Sequence, residues 1–97
     1  MSAVVLLELK AHPAMLADLQ ALLHEMLPTT RRFRGCETIS MHQMDGDPLT
    51  MVIFERWQDP SFYKAYVRWR GERGDLDRLV SLVQGTPHIR TFDDWSP

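Results

Sequence analysis

Two short runs in this 97-residue chain are apolar on both faces of a strand, which leaves few folds open. In Ala3 to Leu9, Val5, Leu7 and Leu9 alternate with Val4 and Leu6, and Glu8 is the exception. In Leu49 to Trp57, Met51 and Ile53 alternate with Val52 and Phe54. Side chains alternate between the faces of a sheet along each strand. A strand apolar on both sides must therefore be covered on both sides.

The intervening segments supply one cover. Pro13 suits the first turn of a helix. Leu16, Leu19, Leu23 and Met26 follow at spacings of three and four, one buried stripe. Pro28 is expected to end this helix, and Thr29 to Arg34 to form a polar, basic connector. Gly35 opens a second strand over Cys36 to Met44, and Asp45-Gly46-Asp47-Pro48 turns the chain into the third. Asp59 as N-cap and Pro60 at the first position start a second helix, which Gly74 and Asp75 break. Leu76, Leu79, Val80 and Val83 predict a short third helix with Gly85 at its C-cap. His88 to Trp95 reads as the last strand.

The order β-α-β-β-α-(α)-β is that of a ferredoxin-like α+β domain, spanning residues 1–97. Two helices then lie on one face of a four-stranded antiparallel sheet, and the other face is left bare. A large apolar patch is rare on a soluble monomer. The second face is therefore expected to be buried against another copy of the chain, in a symmetric homodimer.

Composition excludes several classes of partner. A net charge of -2 supplies no basic field for nucleic acid or a membrane surface. No apolar run approaches the ~20 residues of a membrane span. The first residues lack the basic segment and cleavage site of a signal peptide. Cys36 is the only cysteine, so no intrachain disulfide forms, which fits a reducing cytoplasm.

Motifs for metals and cofactors are missing. His24-Glu25 has no second His at zincin spacing, and His12, His24, His42 and His88 are scattered. There is no glycine-rich phosphate loop, dinucleotide fingerprint or nucleophile elbow. Any chemistry is expected to need no metal and no tightly bound cofactor.

What remains is a set of aromatic and ionisable residues. Phe62, Tyr66 and Trp69 share one face of the second helix, at spacings of four and three. With Glu55 and Arg70 they describe either the wall of a pocket for a flat, partly polar molecule or a stretch of aromatic core. Glu55 lies between Phe54 and Trp57 in an apolar run. Burial there raises its pKa and suits it to proton transfer, unless it simply pairs with an arginine. His42 on the second strand is a second candidate base. Cys36 reads first as a small buried hydrophobe and second as a nucleophile. Arg31, Arg32 and Arg34 form either a solvated connector or an anion site.

These residues carry a family resemblance. Leu27-Pro-x-Thr-Arg31-x-Phe33-x-Gly35-Cys36 before the second strand, with Phe54-Glu55-x-Trp57-x-Asp59 after the third, resembles the antibiotic biosynthesis monooxygenase domain family over essentially the whole chain. Tyr66-x-x-Trp69-Arg70-x-x-x-Gly74 is similar to a bacterial subgroup described as quinol monooxygenases. The resemblance implies a dimeric α+β barrel with a pocket between sheet and helices in each subunit. It implies oxidation of a small aromatic or quinol-like substrate by O2 without metal or flavin. Glu55, His42 and Tyr66 are then the candidate catalytic residues. Glu55 or His42 would take a proton and Arg70 would stabilise the anion. Trp57, Phe62, Tyr66 and Trp69 would bind the ring.

The chain departs from its relatives at informative points. Many members carry a His where this chain has Tyr66. The haem-degrading branch uses an Asn, a Trp and a His, whereas this chain contains no Asn and has Leu76 near the place of that His. Two other functions suit such a fold. One is an isomerase or lyase acting on a small oxo-compound, and the other is a non-enzymatic module that binds a small ligand.

Overall fold

Strands β1 (Ala3–Lys10) and β3 (Asp47–Trp57) lie side by side at the centre of a four-stranded antiparallel sheet in the computed structural model, which describes residues 2–96. Strands β2 (Cys36–Met44) and β4 (His88–Phe92) form the edges, in the order β2-β3-β1-β4. Of the two apolar faces of β1 and β3, the helices cover one. Helices α1 (Leu16–Arg32), α2 (Pro60–Glu72) and α3 (Asp75–Val80) complete the ferredoxin-like α+β fold.

Register decides which residues the helices cover. Val5 pairs with Glu55, Leu7 with Ile53 and Leu9 with Met51, while Ile39 and Met41 of β2 pair with Glu55 and Ile53. These rows form the inner face. Leu9, Met51 and Ile53 pack with Leu19, Leu22, Leu23 and Met26 of α1 in one core cluster. A second cluster joins Ala3, Val5, Trp57 and Tyr66, with Phe33, Phe62, Tyr63 and Trp69 packed against it. The outer face presents Val4, Leu6, Glu8, Val52, Phe54 and Arg56 from the central strands. Phe54 and Phe92 on this side are 39% and 50% exposed.

Element bounds differ from expectation at four places, the first being β3, which already begins at Asp47 inside the expected turn rather than at Leu49. Helix α1 does not stop at Pro28 but continues to Arg32. A proline inside a helix loses its own N–H bond and crowds the carbonyl four residues back. The carbonyl it leaves free is that of His24, an exposed residue. Beyond it, buried Thr30 donates its hydroxyl to Met26 O at 3.1 Å and anchors the last turn. Thr29 to Arg32 is thus helix rather than connector.

Helix α3 ends at Val80, and Ser81 closes it by donating its N–H to Asp77 O. Val83 instead forms an isolated bridge with Ala11, and Gly85 is not the C-cap. Strand β4 stops at Phe92, short of Trp95.

Other local expectations are met. Asp59 accepts from the Ser61 N–H at 2.9 Å with Pro60 at the first helical position. Gly74, at φ 80, separates α2 from α3. Gly35 is required twice. Its φ is 90, and a Cβ there would lie 2.2 Å from Phe62 Cγ. Phe62 lies directly on this glycine and seats α2 against the start of β2.

Candidate functional site

Between the inner face of the sheet and the three helices lies a cavity of about 290 Å³. Leu7, Ile39, Met41 and Ile53 form its floor, Leu23, Met26 and Thr30 come from α1, and Tyr63, Tyr66 and Val67 from α2. Leu76, Leu79 and Val80 of α3 and Thr86, Pro87 and Ile89 complete the wall. Glu55 is the only charged side chain in this lining among the described residues.

Glu55 reaches the cavity by strand alternation. It is in phase with Met51, Ile53 and Trp57, and its own residue surface is 5% exposed. The Trp57 indole N–H donates to its Oε1 at 2.9 Å, its one side-chain hydrogen bond among the described residues. Burial pushes the Glu55 pKa up, while the Trp57 hydrogen bond and the Arg70 charge pull it partway back. The result is a carboxylate more basic than one in water.

Two phenols stand near this acid. Burial, aided by the charge of Glu55 and the neighbouring Tyr66, pushes Tyr63 up to about 12. Burial also raises Tyr66, against the opposing hydrogen bonds with Thr30 and Arg70. Both stay protonated at neutral pH.

Behind Tyr66 is a closed polar web. Arg70 Nε donates to Tyr66 Oη at 3.0 Å. Nη1 donates to Asp75 Oδ2 at 2.9 Å, and Nη2 to Met26 O at 3.0 Å and Thr30 Oγ1 at 3.1 Å. Arg73 Nε donates to the same Asp75 oxygen at 3.1 Å. Burial alone would raise the Asp75 pKa, but the bonds from Arg70 and Arg73 prevail and hold the carboxyl below its usual value. The single Thr30 O–H is spent on Met26 O, so the 2.7 Å contact between Thr30 and Tyr66 is the phenol donating to Thr30 Oγ1. Tyr66 therefore gives its proton to Thr30.

The residues singled out from sequence separate into three groups. Glu55 and Tyr66 line the cavity. Trp57, Phe62 and Trp69 belong to the aromatic cluster beside it, with Trp57 to Tyr66 ring centroids 5.1 Å apart and Phe33 to Trp69 5.4 Å apart. Of the stripe Phe62, Tyr66 and Trp69, only Tyr66 lines the cavity. The cavity-facing set on α2 is Tyr63, Tyr66 and Val67. Arg70 lies behind Tyr66, its guanidinium 4.7 Å from the Trp69 ring centroid, and is occupied by Asp75, Thr30 and Met26. It holds the wall rather than reaching the ligand space.

His42 is on the other side of the sheet. It pairs with Val52 on the outer face, and its Nε2 lies 2.9 Å from Ser40 Oγ. Glu55 and His42 are therefore not brought together, because residues 55 and 42 fall in opposite phases of the β2–β3 register. Cys36 is half-buried beside the second cluster, and burial pushes its thiol pKa up, away from the reactive thiolate. Arg31 and Arg32 occupy the last turn of α1, and Arg34 lies over the Phe62 ring at 5.4 Å.

Tyr63 and Thr30 were the residues missed from sequence. Tyr63 carried a signal, since positions 63, 66, 67 and 70 also share a helix face. Thr30 carried none once the helix was taken to end at Pro28. Among the described residues no three His, Cys, Asp or Glu side chains gather as a metal site, and no helix is long and apolar enough to cross a membrane.

The ferredoxin-like α+β fold thus encloses a largely aliphatic cavity into which one buried acid, Glu55, projects. The antibiotic biosynthesis monooxygenase family model matches residues 2–72, and the chain belongs to that family. Solved structures share the fold at low identity. Rv0793 from Mycobacterium tuberculosis superposes with a TM-score of 0.88 at 19% identity, covering 100% of this chain and 98% of the other. A conserved protein from Methanosarcina mazei Go1 gives 0.88 at 15% identity, with 95% and 91% covered. A variant of SnoaB, a cofactor-independent oxygenase from Streptomyces nogalater, gives 0.85 at 14% identity, with 99% and 95% covered. A search of curated protein sequences finds no significant match.

Proposed function

We propose that this protein is a cofactor-independent monooxygenase that oxidises a small aromatic, quinol-like compound with O2, working as a homodimer in the cytoplasm. The observation that carries this reading is Glu55: among the described residues, one basic carboxylate in an otherwise uncharged cavity, held by a hydrogen bond from Trp57. Family membership and the fold shared with a cofactor-independent oxygenase support it.

The chemistry needs little from the protein. Glu55 takes a proton from the acidic carbon or hydroxyl of an electron-rich ring. The resulting anion gives one electron to O2, and the radical pair combines to a peroxide. For an anthrone-type CH₂, loss of water from that peroxide leaves a carbonyl. One oxygen atom ends in the product and the other in water. The surrounding apolar wall keeps bulk water from the anion, and Tyr63 and Tyr66 lie against the ring. Arg70 acts through Tyr66 and Thr30, as a positioning residue.

The outer face supports the dimer. Leu6, Val52, Phe54 and Phe92 form an apolar surface on the side opposite the helices.

The test is O2 uptake by metal-stripped protein over quinols, anthrones and dihydroxynaphthalenes, above each compound's autoxidation rate. Saturable uptake that falls about 100-fold or more in Glu55→Gln is the expected result. Binding without uptake across the panel would sink the oxygenase reading and favour an isomerase or lyase that uses the same carboxylate, or a ligand-binding module.

A further inference from the structure

The lining of the cavity contains an acid and no base. Glu55 is its only charged side chain among the described residues. Arg70, whose charge acts on Glu55, already donates to Asp75, Met26 O, Thr30 and Tyr66. It is paired with Asp75 at 2.9 Å, and both side chains are almost wholly buried. Among the described residues no guanidinium or ammonium lines the cavity to meet an anion there.

From this we infer that the cavity selects by charge: it admits neutral, weakly acidic fused-ring phenols or enols and rejects ring compounds that carry a carboxylate. This deepens the reading of the site as one that deprotonates a quinol-like ring. Proton transfer from a neutral phenol to Glu55 moves the single negative charge from protein to ligand and creates no second one. An apolar cavity tolerates one such charge more easily than two. A ligand carboxylate would add a like charge beside Glu55 with no partner to offset its lost hydration. An ammonium ligand fares little better. It would lose its water shell against an apolar wall for one carboxylate, and desolvation of both ions offsets their attraction.

The side of the cavity occupied by the hydroxyl follows as well. Tyr66 directs its proton to Thr30, so it offers the ligand no donor. Tyr63 Oη has no hydrogen-bond partner among the described residues and lines the cavity with Glu55. A ligand hydroxyl that donates to Glu55 can accept from Tyr63.

Calorimetric titration of the intact protein with 2-naphthol, 6-hydroxy-2-naphthamide and 6-hydroxy-2-naphthoate at neutral pH tests this. The amide matches the carboxylate in shape and carries no charge. Naphthol and amide are expected to bind with similar affinity, and the carboxylate about tenfold or more weakly. In Glu55→Gln, a nearly isosteric change, the gap between amide and carboxylate should close by at least half on a logarithmic scale. Equal binding of amide and carboxylate to the wild type, a gap unchanged in Glu55→Gln, tighter binding of 2-naphthylmethylammonium than of naphthol, or no binding of naphthol would each overturn the inference. Failure of O2 uptake with the charge selectivity intact would overturn the oxygenase reading alone.

Discussion

The Trp57 indole N–H donates to Glu55 Oε1 at 2.9 Å, across one intervening residue of β3. Two side chains on the same sheet face thereby join different parts of the molecule. Trp57 is wholly buried in the aromatic cluster, and Glu55 faces the ligand cavity. The rigid ring holds the acid in place and tempers its basicity.

Trp57→Phe removes that donor and keeps most of the ring volume. The hydrogen bond lowers the Glu55 pKa, so its loss raises the pKa further. The ascending limb of kcat/KM against pH should move to higher pH. At the acid end of the profile the rate should fall about threefold or more, with little change on the plateau. A profile that drops uniformly at every pH would contradict a tuning role for Trp57.

Glu55 should also report in stability. Its folded pKa lies above the unfolded reference of 4.5, because burial disfavours the charge. The folded state then binds the extra proton, and stability falls as pH rises from 4.5 through the folded pKa. Glu55→Gln removes this dependence. Relative to wild type it should gain stability steadily across that window, read as the difference in urea midpoints. A difference that stays flat with pH would show that Glu55 is not desolvated.

The Arg70–Asp75 pair makes the opposite prediction. Asp75 is held below its usual value of 3.8, so its contribution is present above that pH and is lost as pH falls through the depressed folded pKa. Asp75→Asn should cost about 3–5 kcal/mol at neutral pH by leaving Arg70 buried and unpaired. That cost should shrink on acidification below 3.8. Replacing both partners, Arg70→Met with Asp75→Leu, should cost clearly less than the two single changes added together. Additive single and double effects in chemical denaturation would argue against a coupled pair.

The outer face predicts a particle of twice 11.3 kDa by light scattering. Phe54→Glu places a charge at the middle of that face, opposite Leu6 and Ser40. It should give a folded monomer with unchanged far-ultraviolet dichroism. A wild-type monomer at micromolar concentration would remove the reason for the apolar outer face.

Much of the fold was legible because its strands announce themselves by alternation. Glu55 was legible for the same reason: it is an acid in phase with Met51, Ile53 and Trp57. The end of α1 was not. Pro28 is a local stop signal, and buried contacts made by Thr30 with Tyr66 and Arg70 override it. The choice between two overlapping stripes on α2 was equally hidden. Phe62, Tyr66 and Trp69 share a face, and so do Tyr63, Tyr66, Val67 and Arg70. Phe62 is drawn onto Gly35, which turns Tyr63 rather than Phe62 toward the cavity. His42 misled because its residue type suggested a base while its register phase set it on the outer face.

Arg70 joins parts of the chain that are far apart. Its guanidinium reaches back across 44 residues to Met26 O and 40 to Thr30, and forward five to Asp75. The rear wall of the cavity is therefore made of segments that have no reason to meet until the sheet has brought α1 and α2 together. Such a site cannot ripen piecemeal. A chain cut between β2 and β3 would leave Met26 and Thr30 on one piece and Arg70 and Asp75 on the other, and during refolding the ability to bind a ring should return in step with the last native contacts rather than with early helix.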